Sequence, residues 1–209
     1  MNIAIANSIR DDLKSLEWIE TISGLVRAYN TTERVVIENR PMIIRKSLPV
    51  SCDISHETCH NRYNFDLMPD AKKRSIIYFE DGGVQFQGSD GRHRHWQSSL
   101  TLVCWVNMEK FEFSGCSISP LLIGSIMENI DTKLFNLPDD GIVGVQLNVI
   151  GESPKSAAIF SKWSYREEQD QYLLYPYDYF ALNIQSNFRT AGSGCANEII
   201  IKSNADCPR

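Results

Sequence analysis

One segment, residues 96–106, constrains the fold of this chain most, because apolar side chains occur on both of its faces. Successive side chains of a β-strand point to opposite faces. One face of this segment would carry Trp96, Ser98, Leu100, Leu102, Cys104 and Val106. The other face would offer Thr101, Val103 and Trp105. The pattern predicts a long strand whose middle is buried on both sides, as in a sheet covered on both faces.

Two other segments have the apolar spacing of amphipathic helices. In the first, from about Ser8 to Tyr29, Ser8 followed by Asp11 resembles a capping box. Its apolar side would consist of Leu13, Leu16, Ile19, Ile22, Val26 and Tyr29. The second runs from Ser119 to Phe135, with Ser119 as the N-cap and Pro120 at the first helical position. Its apolar side would consist of Leu122, Ile123, Ile126, Met127, Ile130 and Leu134.

Several further segments are typical of strands, and they set the predicted fold class. Residues 35–50 indicate two short β segments broken by Pro41 and Pro49. The remaining strand predictions are 75–80, 84–87, 143–150 and 178–188. Runs of strands between only two helices favour an α+β fold. We therefore predict one domain over 1–209, with two helices packed on a mixed, mostly antiparallel β-sheet. A long loop or insertion is expected at 51–74, and a flexible tail after about 190.

Charge and composition exclude several classes of protein. The chain has 21 basic and 26 acidic side chains, a net charge of −5. That balance argues against a broad nucleic-acid-binding face, which needs clustered Lys and Arg. No apolar run approaches the length of a membrane span, and the N-terminus does not have the pattern of a secretory signal. The six cysteines are therefore expected to be reduced thiols of a cytoplasmic fold.

A possible metal site lies in the predicted loop. Cys52, His56, Cys59 and His60 could supply two thiolates and two imidazoles to a zinc ion. The spacing matches no standard zinc finger, and adjacent Cys59 and His60 could both bind one ion only through a strained turn. We therefore predict no metal and no cofactor.

Enzyme signatures are also weak. Nucleophilic catalysis would need a cysteine close to a histidine. Cys104 lies in an apolar strand, where a free cysteine behaves as a small hydrophobe. Cys116 and Cys195 merely follow glycines. The sequence contains no phosphate-binding loop, dinucleotide fingerprint or nucleophile elbow. We predict that the chain is not an enzyme.

Two groups of residues are candidates for contacts with partners. Arg92 and Arg94 alternate with His93 and His95 in a basic turn. Two interpretations fit this turn: a solvated end of the sheet, or a docking site for an acidic protein surface or DNA phosphate, of which we favour the protein. We also expect it to lie near Lys72-Lys73-Arg74, because each group precedes a strand of the same sheet.

The second group is aromatic. Tyr172, Tyr175, Tyr177 and Tyr179 cluster around Pro176, and Trp163 with Tyr165 could join them. Tyrosine is enriched in the cores of protein interfaces. This segment is therefore the first candidate for a subunit contact, although in a monomer it would be only a partly exposed aromatic loop.

The order of elements resembles the tail-terminator family of tailed bacteriophages. The residues that carry the resemblance are Ile76 to Gln87, with the glycines Gly82-Gly83, followed by a polar turn and the strand from Trp96 to Val106. A helix, a strand, a polar excursion and a final alternating strand then follow in the family's order. In this chain they are Ser119–Phe135, Val143–Ile150, Ile159–Asp170 and Asp178–Phe188.

The resemblance implies a structural protein of the virion, assembled in the host cytoplasm. Such a protein forms a homo-oligomeric ring around the DNA channel at the head–tail interface. A portal or adaptor ring would lie on one side, tail proteins on the other, and genomic DNA would pass through without sequence-specific binding. No membrane and no catalytic residue are implied. The alternative is a small ligand- or peptide-binding module that uses the loop at 51–72.

Overall fold

The computed structural model describes residues 1–37, 40–52, 67–113, 115–154, 157–164 and 171–191. Two α-helices occur in these ranges, α1 (Asn2–Leu13) and α2 (Ser119–Ile130). The strands are β1 (Thr21–Ile37), β2 (Arg40–Ser51), β3 (Ser75–Ser89), β4 (His93–Asn107), β5 (Leu134–Leu137), β6 (Ile142–Glu152) and β7 (Tyr177–Ala191). Short 3-10 turns occupy Met108–Lys110, Pro138–Asp140, Ala157–Phe160 and Gln171–Leu173.

The strands form one sheet in the order β2-β1-β3-β4-β7-β6-β5. β1 and β3 are parallel, and the other neighbouring pairs are antiparallel. The predicted α+β fold with two helices and a mixed, mostly antiparallel sheet is therefore confirmed at this level. β4 lies at the centre, and its residues 102–107 are buried from both sides, as its two apolar faces predict.

The first predicted helix is wrong in its bounds. The helix ends at Leu13, and residues 21–29 belong to β1. Ser8 therefore lies within α1 rather than at its start. The spacing of Ile22, Val26 and Tyr29 fits a helix, but the β-branched side chains of Ile22 and Val26 favour a strand locally. Thr21 and Ile22 pair in parallel with Ile76 and Ile77 of β3, and this tertiary pairing decides the conformation.

The second helix starts where predicted but ends earlier. Ser119 is its first residue rather than its N-cap, which is Ile118. Asp178 of β7 performs the capping instead, by accepting bonds from the Ile118 and Ser119 amides over 3.0 and 3.2 Å. Helix α2 stops at Ile130, and Thr132 adopts a positive φ of 57°. Residues 134–137 then form edge strand β5 rather than a last helical turn.

Strand β2 also differs from its prediction. Pro41 and Pro49 lie within one continuous strand instead of dividing it into two. β2 is the outermost strand, paired only with β1. A proline is tolerated on an edge strand because its missing N–H can lie on the unpaired side.

Each face of the sheet has its own core. Helices α1 and α2 cover one face, where Ile5, Ile9 and Ile126 meet Phe79 and Phe180. The opposite face is covered at one end by Leu67, Phe160 and Trp163, which pack on strand residues that include Tyr78 and Trp105. Among the described residues, no helix is long and apolar enough to cross a membrane.

Candidate assembly surfaces

Two of the predicted aromatic contact residues, Tyr172 and Tyr177, pack against Trp105. The Trp105 ring stacks on Tyr177 with centroids 5.3 Å apart, and Tyr172 meets both rings edge-on at 6.3 and 5.2 Å. The indole N–H of Trp105 donates to the Tyr172 carbonyl over 2.7 Å. Desolvation raises the pKa of Tyr177 above its ordinary value, and the nearby Tyr172 adds to the shift, so this phenol stays neutral at physiological pH.

Trp163 and Tyr179 belong to the same covered face. Trp163 is 9% exposed, lies edge-on to Tyr78 and donates its indole N–H to the Glu80 carboxylate over 3.1 Å. Lys162 pairs with the other oxygen of Glu80, so the buried carboxylate is compensated. Tyr179 packs against Phe160 with centroids 5.4 Å apart. Tyr165 lies outside the described residues.

One turn of this aromatic segment faces outward. Tyr175 and Leu174 are 80% and 67% exposed. The Tyr177 N–H donates to the Leu174 carbonyl over 2.9 Å, and the Met108 N–H donates to the Pro176 carbonyl over 3.1 Å. Two exposed apolar side chains are thus held in a backbone that the packed Tyr172 and Tyr177 fix on either side. We call residues 174–176 the aromatic turn.

Arg92 lies in the turn between β3 and β4, Arg94 is the second residue of β4, and both are exposed. Asp90 organises this basic turn by accepting bonds from the His93 and Arg92 amides over 2.8 and 3.1 Å. These bonds, first that of His93, lower the pKa of Asp90 to about 2. The His95 ring lies 3.2 Å from the second oxygen of Asp90. The two arginine side chains are left as the outward-facing charges of the turn.

The expected proximity of Lys72-Lys73-Arg74 to the basic turn is wrong. β3 and β4 are antiparallel, so Ser75 pairs with Val106 while Ser89 pairs with Arg94. The start of one strand therefore lies beside the end of the other. The two basic groups are at opposite ends of strands that are 15 residues long, roughly 45–50 Å.

On the face of the sheet opposite the helices, the second core covers only one end. A group of uncharged polar side chains lies on the rest of that face. Gln85, Gln97, Asn187 and Gln146 follow one another across four neighbouring strands, as do Ser99, Gln185 and Asn148 across three. The Gln97 side-chain oxygen accepts from the Gln87 amide over 3.4 Å, and the Gln97 amide donates to the Asn187 side-chain oxygen over 3.3 Å. We call these seven residues the amide face. It carries amides and hydroxyls only.

The fourth surface is a hairpin that extends beyond the body of the protein. β1 pairs with β3 through Thr21, Ile22 and Leu25, whereas its pairing with β2 continues as far as Ile37 and Arg40. Ser164 holds the base, because its N–H donates to the Ser47 carbonyl over 2.7 Å. Its hydroxyl accepts the Ser47 N–H over 3.1 Å. We call residues 31–46, beyond this anchor, the arm.

The sequence prediction missed the arm because it placed residues 21–29 in a helix. A signal for it was present. Two apolar runs, Val35-Val36-Ile37 and Met42-Ile43-Ile44, flank the polar residues Glu38-Asn39-Arg40, which is the pattern of a hairpin.

Only part of the cysteine and histidine pattern falls within the described ranges. Cys52 is half-buried at the end of β2, and its N–H donates to the Leu25 carbonyl over 2.8 Å. His56, Cys59, His60 and Cys195 lie outside the described residues, as does most of the loop proposed for a ligand. Within the described residues there is no group of three or more side chains that could hold a metal ion.

Thiol reactivity distinguishes two of the described cysteines. Cys104 is fully buried, and burial raises its pKa well above the ordinary value, with Asp178 adding to the shift. Cys116 is exposed. We expect iodoacetamide at pH 7 to modify Cys116 in the folded protein and Cys104 only after unfolding, as followed by peptide mass spectrometry. Rapid modification of Cys104 would indicate a lowered pKa and would favour an enzyme after all.

No family model matches the chain, and neither the curated proteins nor the solved structures include a match to it.

Proposed function

We propose that this chain is a structural virion protein of a tailed phage with a tail-terminator-like fold. It forms a ring around the DNA channel at the head–tail interface. A portal or adaptor ring contacts one side of it and tail proteins contact the other.

The observation that carries this proposal is the position of two chemically different surfaces at opposite ends of one rigid sheet. The aromatic turn adjoins the end of β4, where Asn107 pairs with Tyr177. The basic turn adjoins its start, where His93 pairs with Ala191. A β4 of 15 residues separates them by roughly 45–50 Å. A ring between two different partners needs such a pair of unlike contact surfaces.

The amide face supports the passage of DNA. Binding to duplex DNA draws much of its free energy from counterions that Lys and Arg release. None of the seven residues of the amide face is Lys or Arg, but the exposed Arg189 lies in the next row on the same side of the sheet, opposite His95. Turned toward the channel, the seven residues offer DNA uncharged hydrogen-bonding groups, with Arg189 at their edge. The arginines of the basic turn lie at its end and remain available to a protein partner.

Electron microscopy of the purified chain tests the ring. Closed rings with a central opening wide enough for a DNA duplex are expected, and cross-linking of intact particles should join the chain to portal and tail proteins. A chain that remains monomeric at every soluble concentration, and that is missing from the cross-linked particles, would contradict the proposal.

The aromatic turn gives a residue-level prediction. Tyr175→Ala should leave folding intact, because the side chain is 80% exposed. Removal of a central aromatic anchor costs about 2 kcal/mol or more in an interface. We therefore expect the affinity of the ring for its partner on that side to fall about thirtyfold, as measured by sedimentation of assembled complexes.

Arg92→Ala and Arg94→Ala serve as the comparison. Exposed charges at the rim of an interface mainly affect association rate and its dependence on salt. We expect these variants to have milder effects that grow at low ionic strength. If Tyr175→Ala binds its partners as the wild type does, the aromatic turn is not a contact surface, even if the ring forms.

A further inference from the structure

We infer that the arm of each subunit docks on a neighbouring copy of the same chain, in the groove that runs along α1. This inference rests on the proposed ring and identifies the contact that closes it. Arm and groove are different surfaces, so each subunit would contribute one arm and receive one. Contacts of this heterologous kind generate rings when the rotation closes.

The apolar side chains of the arm are exposed. Of residues 31–46 the structure describes 31–37 and 40–46, and in these ranges the two strands pair with each other through seven residue pairs beyond the Ser47 anchor, a reach of roughly 20–25 Å. An isolated two-stranded hairpin is marginally stable in water, and a hydrophobic face packed against another element stabilises it. Val36 and Ile43 are 73% and 66% exposed on this hairpin. A packing partner is therefore expected for it.

One face of the arm has a defined chemical character. The register places opposite residues of the two strands on the same face, so Val36 shares a face with Pro41, and Arg34 with Ile43. The full face is Thr32, Arg34, Val36, Pro41, Ile43 and Arg45, and each of these six residues is exposed. It combines three apolar side chains with two arginines and has no carboxylate.

The groove beside α1 complements that face. It is open and is lined by the apolar Met1, Ile3 and Leu137 together with the carboxylates of Asp11, Asp12 and Asp140. Neither lysine nor arginine is among its lining residues. Met1 and Ile3 are about half exposed, at 49% and 45%. Val36, Pro41 and Ile43 of the arm could contact the apolar residues of the groove. Arginine–carboxylate pairs could form beside this contact at the same time.

Some of these carboxylates already have partners in their own subunit. Asp11 pairs with Arg10 and Lys14, over 3.0 and 2.8 Å, and Asp12 pairs with Lys133 over 2.5 Å. The carboxylate of Asp11 is exposed, and exposed ion pairs contribute little, so it can take an arginine of the arm at small cost. The paired oxygen of Asp12 is buried, so this argument does not extend to Asp12. Asp140 lies exposed in the same groove.

Charge selects a second copy of the chain as the occupant. The arm has Arg34, Arg40, Arg45 and Lys46 against Glu33 and Glu38, a net charge of +2. The rest of the chain keeps 17 basic and 24 acidic side chains, a net charge of −7. If two arms faced each other, their arginines would repel one another. An arm that faces the acidic body of another subunit is attracted to it. The arm-in-groove contact is therefore favoured over a two-fold contact between arms.

Two variants separate the halves of the contact. In the first, an Asn-Gly turn replaces residues 31–46 between Asn30 and Ser47, which form a paired register position. In the second, Ile3→Lys and Asp140→Lys add positive charge to the groove. None of the changed side chains whose exposure the structure describes is buried, so both variants should melt like the wild type. We expect each alone to be monomeric in light scattering under conditions where the wild type forms rings.

Mixing the two variants is the decisive measurement. The intact arm of the groove variant can enter the intact groove of the arm variant, and no second contact can form. A 1:1 heterodimer is expected, with no larger species. Ile43→Lys should weaken ring formation at least tenfold. Ile150→Lys is the matched control, because Ile150 is an exposed strand isoleucine outside both surfaces, at 60%. It should assemble normally.

Other outcomes would overturn the inference in distinguishable ways. Rings that persist after removal of the arm contradict the arm contact and leave the proposed function standing. A wild type that never forms a ring contradicts the proposed function itself. A mixture that stays monomeric, while the wild type forms rings, indicates a contact other than arm-in-groove. If removal of the arm lowers affinity for duplex DNA but not ring formation, the occupant is nucleic acid instead.

Discussion

Asp178→Ala should unfold α2 from the sheet and cost about 3–5 kcal/mol of the free energy of unfolding, because it leaves several buried donors without an acceptor. One oxygen of Asp178 accepts from the Ile118 and Ser119 amides and from the hydroxyls of Ser117 and Ser119, over 2.7–3.2 Å. The other accepts the Tyr179 N–H over 2.9 Å. Asp178 is itself 1% exposed, so water cannot take its place.

Thermal unfolding followed by circular dichroism measures this effect. A loss of 3–5 kcal/mol lowers the melting temperature by roughly 6–20 °C in a chain of this size. Ser117→Ala is the control, since it removes one of the donors and should cost about 1 kcal/mol. Should Asp178→Ala melt within a few degrees of the wild type, this carboxylate does not hold α2 to β7.

Trp105→Ala should be comparably severe and should also affect assembly. The Trp105 side chain is 1% exposed, and its removal leaves a large cavity between Tyr172 and Tyr177. Truncation of a buried tryptophan costs about 3–5 kcal/mol. The same two tyrosines hold the aromatic turn in place, so Tyr175 should lose its fixed position and bind its partner more weakly.

Trp105→Phe separates packing from hydrogen bonding. A phenyl ring can still stack on Tyr177, but it cannot donate to the Tyr172 carbonyl. We expect a cost of about 1–3 kcal/mol, smaller than that of alanine. Chemical denaturation gives the free energies, and the solvent accessibility of Tyr175 can be compared by limited proteolysis near the turn. Equal destabilisation by Ala and Phe would show that a phenyl ring restores none of the stability that the indole provides.

The sequence by itself determined the centre of the fold. Residues 96–106 place apolar side chains on both faces of a strand, and they lie within β4, between β3 and β7. The strand predicted at 178–188 lies within β7, and the helix predicted from Ser119 begins there. These signals are local. Burial of one or both sides of an element sets the spacing of apolar residues along the sequence, and that spacing is visible without knowing which elements pack against it.

Only the tertiary structure decided three other features. Residues 21–29 satisfy the spacing of a helix, yet pairing with β3 makes them a strand and creates the arm. The side chains of the tyrosines around Pro176 differ in exposure. Tyr172 and Tyr177 pack on Trp105, whereas Tyr175 points into solvent. Asp178, whose carboxylate holds α2, carries no local sign of that role. Each outcome depends on which residues meet from distant parts of the chain, and a local pattern does not contain that information.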